Sequence, residues 1–138
     1  LKKFDKSFIL NMSSLGSLRP IPYKALYSAS KAFIYSFSRA ISSELKDDSV
    51  YVSVSCPAGV YTNEASVRRI KLSGKIAKWT SLNTTIVATY IVNGMLNGKM
   101  LIIPGVGAKF LLILMKLLPE NVNQWIVAKN MKRNISAV

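Results

Sequence analysis

Residues 7–33 read SFILNMSSLGSLRPIPYKALYSASKAF. The order of residue types in this stretch decides the fold. SFILNM is a short, nearly continuous apolar run that ends in small polar residues, as a buried strand does, about Ser7 to Ser13. Gly16, Pro20 and Pro22 break the next segment, SLGSLRPIPYK, into a loop. From about Tyr23 to Lys46 the pattern turns helical. Ala25, Ala29, Phe33, Phe37, Ala40, Ile41 and Leu45 recur at spacings near 3.6, and DDS at 47–49 ends the helix.

The alternation continues outward. VYVSVSC alternates and is rich in valine, so Val50 to Cys56 is a second strand, broken by PAG. The segment Asn63 to Trp79 is polar, basic and irregular and predicts short helices. Asn83 can cap a helix running from about Thr84 to Asn97 and stopping at Gly98. KMLIIPG holds a third strand, about Met100 to Ile103, and helical segments follow at about Ala108 to Leu118 and Glu120 to Lys132. Strands separated by long helical crossovers imply a parallel sheet in an α/β layered fold. Ligands bind such sheets at the carboxyl ends of the strands, so SSLGS, PAGVYTN and PGVGAK are the segments where chemistry is expected.

Composition narrows the chemistry. The 138 residues are half hydrophobic and 18% charged, which fits one globular domain with a core. The single cysteine, Cys56, excludes an internal disulfide and a Cys-rich zinc site, and its place at a strand end predicts packing rather than reactivity. No histidine is present, which excludes Ser-His-Asp and Cys-His nucleophile chemistry and His-Glu-x-x-His metal sites within this chain. Six acids, mostly in helix-surface patterns, give little support to paired-carboxylate hydrolysis. What remains is chemistry by Tyr, Lys, Ser and Thr, with no metal expected. The net charge of +13 admits nucleic acid, an anionic membrane surface or a phosphate-bearing ligand. The basic residues are scattered rather than striped, so no nucleic-acid partner is expected. The apolar FIL near the start is too short for the core of a signal peptide.

Tyr27 and Lys31 stand four apart at the start of the first helix and so share a face. A cation beside a phenol favours the phenolate, whose unperturbed pKa is about 10, and a tyrosine tuned this way exchanges protons near neutral pH. Ser14, at the end of the first strand, can reach the same spot and hydrogen-bond a substrate oxygen. A carbonyl oxygen held by Ser14 and Tyr27 is stabilised as it gains charge. Hydride must then come from a nicotinamide cofactor. The Tyr-x-x-x-Lys spacing alone is weak, since roughly 0.6 such pairs arise by chance in a chain of this composition. Its context is more specific: a strand-end serine precedes it and a P-x-G-V-x-T turn follows the next strand.

In these features, NMSSLGSLRPIPYKALYSASKAF followed by VSVSCPAGVYTN, the chain resembles the carboxyl-terminal half of the short-chain dehydrogenase/reductase family. The resemblance is strong from about Ser7 to Asn63 and fair through Gly105. It implies a partial Rossmann-type sheet of three carboxyl-side strands with crossover helices. By it, Ser14 orients the substrate carbonyl, Tyr27 is the general acid/base, and Lys31 lowers the Tyr27 pKa and binds the nicotinamide ribose. Thr62 and the Val60 backbone meet the nicotinamide carboxamide, and Pro57 shapes the turn. Ser14 is preferred to Ser13 because it has the family's 13-residue spacing to Tyr27. Two local departures are Ala58, where the family has glycine, and Gly16, one place early. A larger one is the absence of the family's T-G-x-x-x-G-x-G loop, its Asn-Asn-Ala-Gly strand end and its catalytic asparagine. PGVGAK lacks the third glycine and does not replace that loop.

The resemblance therefore implies an NAD- or NADP-dependent oxidoreductase interconverting a carbonyl and an alcohol, here as a fragment without its dinucleotide-binding half. Its segments are 1–105, half of a Rossmann domain with a substrate loop at 63–80, and 106–138, a helical extension. Tyr61 and Trp79 are candidate pocket walls. The implied substrate is a small carbonyl or alcohol, lipid-like or acyl, and the complete protein is expected to be a cytoplasmic homo-oligomer. An alternative is an inactive truncated chain acting at a membrane surface or on a partner. The closing helices keep this open: AKFLLILMKLL is too short to span a bilayer, but Lys109 and Lys116 share one face, so 108–132 can lie on the sheet or at a membrane surface.

Overall fold

Val50–Ser55 forms the middle of the sheet, with its valines buried on one face and the small Ser53 and Ser55 buried on the other. The computed structural model describes residues 5–46 and 48–135, with side chains described as far as residue 132. In it Ser7–Met12 is β1, Val50–Ser55 is β2 and Leu101–Ile102 is β5. Their order is β1-β2-β5, all parallel, with Ser7 opposite Val50 and Val54 opposite Leu101. Every residue of β2 except Tyr51 is buried. The expected parallel α/β architecture is therefore present, although the third strand is two residues long rather than four.

The helices are α1 (Ala25–Glu44), α2 (Glu64–Leu72), α3 (Gly74–Thr80), α4 (Thr84–Leu96), α5 (Val106–Leu117) and α6 (Glu120–Ile135). On one face of the sheet Val54, Cys56 and Ile103 form a core with Leu15 and with Ala108 and Leu112 of α5, edged by Tyr35 of α1. On the other, Ile102 packs with Val87 and Ile91 of α4. Each fully buried aliphatic side chain here contributes about 1.5–3 kcal/mol. The Asn83 side chain accepts from the Thr85 amide, capping α4 as its sequence predicts. Gly98, at φ +67, ends it in the left-handed conformation that glycine adopts at low cost.

Two further features differ from the sequence expectation. Val60–Tyr61 (β3) and Leu82–Asn83 (β4) make a second, two-stranded parallel sheet. Strands of two residues carry no periodicity to read. The apolar stripe that marks α1 as a helix also lies largely outward: Ala25, Ala29, Phe33, Phe37 and Ala40 are exposed and the two phenylalanine rings stack on each other. The helix instead meets the sheet through small residues, the buried Ser28 and Ser38. Ser38 donates to the Ile34 carbonyl and accepts from Asn11 of β1, so its hydroxyl is satisfied where it is buried.

Candidate active site

The carboxyl end of β1 is fastened to the carboxyl end of β2 beyond the last strand residue. The Ser13 amide donates to the Ser55 carbonyl at 2.8 Å and the Leu15 amide to the Pro57 carbonyl at 2.9 Å. This holds the Ser13–Ser14 bend against the Pro57 turn. Ser14 is extended and caps a short 3-10 turn, Leu15–Ser17, its Oγ accepting from the Gly16 amide at 3.2 Å. The Ser17 hydroxyl closes the loop on the Ser14 carbonyl at 2.6 Å.

Two neighbouring residues hold Lys31 at both of its ends. Ser13 Oγ donates to the Lys31 carbonyl at 2.8 Å, and Lys31 Nζ donates to the Met12 carbonyl at 3.1 Å. The two serines thus have different tasks. Ser13 fixes the helix to the strand, while Ser14 accepts from Gly16 and its own proton has no acceptor among the described residues. Tyr27, one helical turn before Lys31, is 44% exposed, and its phenol makes no hydrogen bond among the described residues.

The start of α1 is built by a tight turn. Tyr23 has φ 65, a left-handed conformation that costs a non-glycine residue about 1–2 kcal/mol. It is held by the Lys24 amide on the Ile21 carbonyl and by the Ile21 amide on the buried Ser28 hydroxyl. Burial pushes the Lys24 ammonium below its usual range, and the Arg69 charge on α2 adds to that shift.

The turn after β2 is the other wall. Cys56 is fully buried, and burial pushes its thiol up, against smaller opposing effects of Ser17, Ser13 and the Ser14 backbone. It is packed, as its position predicts. Gly59 is required by close approach: a Cβ there would collide with the Ser81 hydroxyl. Val60 follows in β3 beside Leu82. Thr62 is exposed, and its amide donates to Ser66 Oγ at 2.9 Å. Asn63 and Ser66 form a reciprocal capping box that starts α2.

Of the residues singled out in the sequence, Ser14, Tyr27 and Lys31 therefore stand on a strand end and helix start bound directly to each other. Pro57, buried, is joined to that loop through its carbonyl. Val60 and Thr62 lie further along the same turn. Trp79 packs edge-on against Phe110 of α5, at 5.9 Å between ring centroids. Sequence reading missed the clamp by Ser13 and the Met12 carbonyl. The adjacent serines were its one visible sign, and a main-chain acceptor leaves none. Among the described residues no group of three acids or cysteines could hold a metal. A groove of about 500 Å³ is lined by Gly16, Pro22, Ala25, Ser28 and Gln124.

A family model described as short chain dehydrogenase matches residues 1–72, over half of the chain. The chain belongs to the short chain dehydrogenase family. Curated relatives are similar over part of the chain. The 17-beta-hydroxysteroid dehydrogenase type 3 of Mus musculus is 49% identical over 57 residues, 41% of this chain and 19% of that protein. The very-long-chain 3-oxoacyl-CoA reductase of Neurospora crassa is 43% identical over 72 residues, 52% of this chain and 22% of that protein. The matched stretch thus spans about a fifth of each relative. Among solved structures, a 7beta-hydroxysteroid dehydrogenase superposes with a TM-score of 0.70 at 18% identity, over 90% of this chain and 48% of its own. A bulky-bulky ketone specific alcohol dehydrogenase from Comamonas testosteroni gives 0.59 at 19%, over 99% and 45%. Both share the fold of this short chain dehydrogenase.

Proposed function

We propose that this chain is the substrate-side half of an NAD(P)-dependent oxidoreductase that interconverts a ketone and a secondary alcohol on a large apolar skeleton. One observation carries the proposal: Lys31 is clamped by Ser13 and Met12 one helical turn from a phenol that makes no hydrogen bond among the described residues, near a serine whose proton has no acceptor among them. Such an arrangement has little use in a helix that merely covers a sheet. The names of the curated relatives, which act on steroids and on long acyl chains, support the substrate class.

The residues present fit one end of a nicotinamide dinucleotide. They lie at the carboxyl ends of parallel strands, where such ligands bind, and offer Tyr27, Lys31 and the exposed Thr62 as polar partners for a ribose and a carboxamide. Pro57 and the Val60 backbone shape that side of the turn. The pyrophosphate end has no cradle in these 138 residues, since no glycine-rich loop occurs in the sequence. When bound, the nicotinamide supplies or takes the hydride. In the reducing direction Ser14 donates to the carbonyl oxygen and holds it. As that oxygen gains charge, Tyr27 transfers its phenolic proton to it, giving the alcohol and leaving the phenolate beside Lys31. Residues 63–80, which include α2 and α3, form the substrate-covering segment in this reading.

The test joins this chain to the part of the mouse 17-beta-hydroxysteroid dehydrogenase upstream of the matched stretch. NADPH and NADH are titrated against the chain alone and the joined protein, and reduction of a steroid ketone is followed. The joined protein is expected to bind at micromolar concentration and turn over, and the chain alone to do neither. Micromolar binding by the chain alone would contradict the assignment of the cofactor cradle to another half.

A further inference from the structure

Helix α5 is apolar on both sides. Ala108 and Leu112 are buried in the core, while Val106, Phe110, Ile113 and Leu117 stand 80%, 57%, 58% and 78% exposed. The spacing of those four puts them in one stripe along the helix. Trp79, 58% exposed at the end of α3, extends the stripe by packing edge-on against Phe110. A continuous apolar surface of this kind marks an interaction site.

The charged residues of α3 and α5 are all basic. Lys109 and Lys116, seven apart, run along one edge of the stripe, and Lys75 and Lys78 of α3 lie in the helix that carries Trp79. Lys109 Nζ is steadied by a 2.7 Å bond to the Tyr90 hydroxyl, whose own pKa it lowers. From residue 64 onward the sequence carries eleven basic residues and two acids, Glu64 and Glu120. Glu120 is already paired with Arg19.

We infer that the outward stripe of α5 together with Trp79 docks on an anionic phospholipid bilayer. An apolar stripe edged by lysines, with no acid among them, complements a surface with an acyl interior and negative headgroups. A second copy of the chain fits poorly, because a two-fold contact would set lysines against lysines. Strands added at the open β1 edge would lie across the sheet from β5, the strand that leads into α5. Docking would be peripheral: no helix among the described residues is long and apolar enough to cross a membrane. This inference is independent of the catalytic reading.

The experiment uses the 138-residue chain with Trp125→Phe, which leaves Trp79 as the one tryptophan. Vesicles of phosphatidylcholine, with and without about 30% phosphatidylserine to supply a negative surface, are added, and Trp79 emission is followed with and without brominated lipid. A blue shift and bromolipid quenching are expected on the anionic vesicles, weakening as salt is raised. Phe110→Ser with Leu117→Ser should weaken binding by about tenfold or more, and Lys109→Gln with Lys116→Gln by a few-fold, both at unchanged circular dichroism. Phe33→Ser, on the equally exposed face of α1, should change it by less than about twofold. The inference is overturned if Trp79 is unmoved or unquenched in the chain with native α5, or if neutral and anionic vesicles bind alike. It is also overturned if Phe33→Ser matches the α5 variant, or if Trp79 emission shifts with protein concentration alone, which would mark a second copy as the occupant.

Discussion

The carboxyl ends of β1 and β5 are two solutions to the same task, leading a parallel strand into a helix. At β1 the chain leaves through Ser13 and Ser14, crosses a proline-rich loop and enters α1 twelve residues after Ser13. Hydroxyls, carbonyls and the Lys31 ammonium satisfy one another along the way. At β5 the chain passes Pro104 and Gly105 and enters α5 directly, with no side-chain cap. Packing of Ala108 and Leu112 holds it. The polar junction fixes reactive groups in place without covering them. The packed junction fixes a helix whose other side is left to meet something apolar.

The largest effect should separate the two serines at the polar junction. In the joined enzyme, Ser14→Ala should lower turnover by about 100-fold or more, as loss of a donor to a developing oxyanion does. Ser13→Ala should act mainly on stability, by about 1–2 kcal/mol, since it removes a buried helix-to-strand bond. Turnover and urea midpoints of both variants check this, and equal losses of turnover would erase the distinction. At the packed junction, Leu112→Ala should cost about 2–5 kcal/mol through the cavity it leaves, read from the shift in urea midpoint.

A smaller effect concerns pH. Burial raises the Cys56 thiol above its ordinary value of 9.0, so the native state keeps that proton longer than the unfolded chain does. The corresponding stability is fully present below about pH 9 and declines as pH rises further. Cys56→Ala should flatten that part of the stability curve, which melting temperatures between pH 8 and 10.5 would show. An unchanged difference between the two proteins across this range would contradict it.

How much of this was legible in the sequence follows from the range of each interaction. α1 and β2 announce themselves by period and β1 by its nearly continuous apolar run, and the strand–helix alternation implies the parallel sheet. Asn83 and Gly98 mark their helix ends because capping is local. β3 and β4 are too short to have a period, and they exist because Gly59 lets Ser81 approach. The outward turn of Phe33 and Phe37 was equally invisible, because a helical period reveals a face but not which side meets the sheet. In the site, residue types and spacing pointed to Ser14, Tyr27 and Lys31. The clamp on Lys31 could not be read, because each of its two bonds ends on a main-chain carbonyl, that of Lys31 itself and that of Met12.

The central claim is that the β1 junction is a proton-transfer site, and Tyr27 tests it most directly. Steroid-ketone reduction by the joined enzyme should fall by at least about 100-fold in Tyr27→Phe, with nucleotide binding and melting temperature little changed. Turnover within a few-fold of the parent protein would contradict the account.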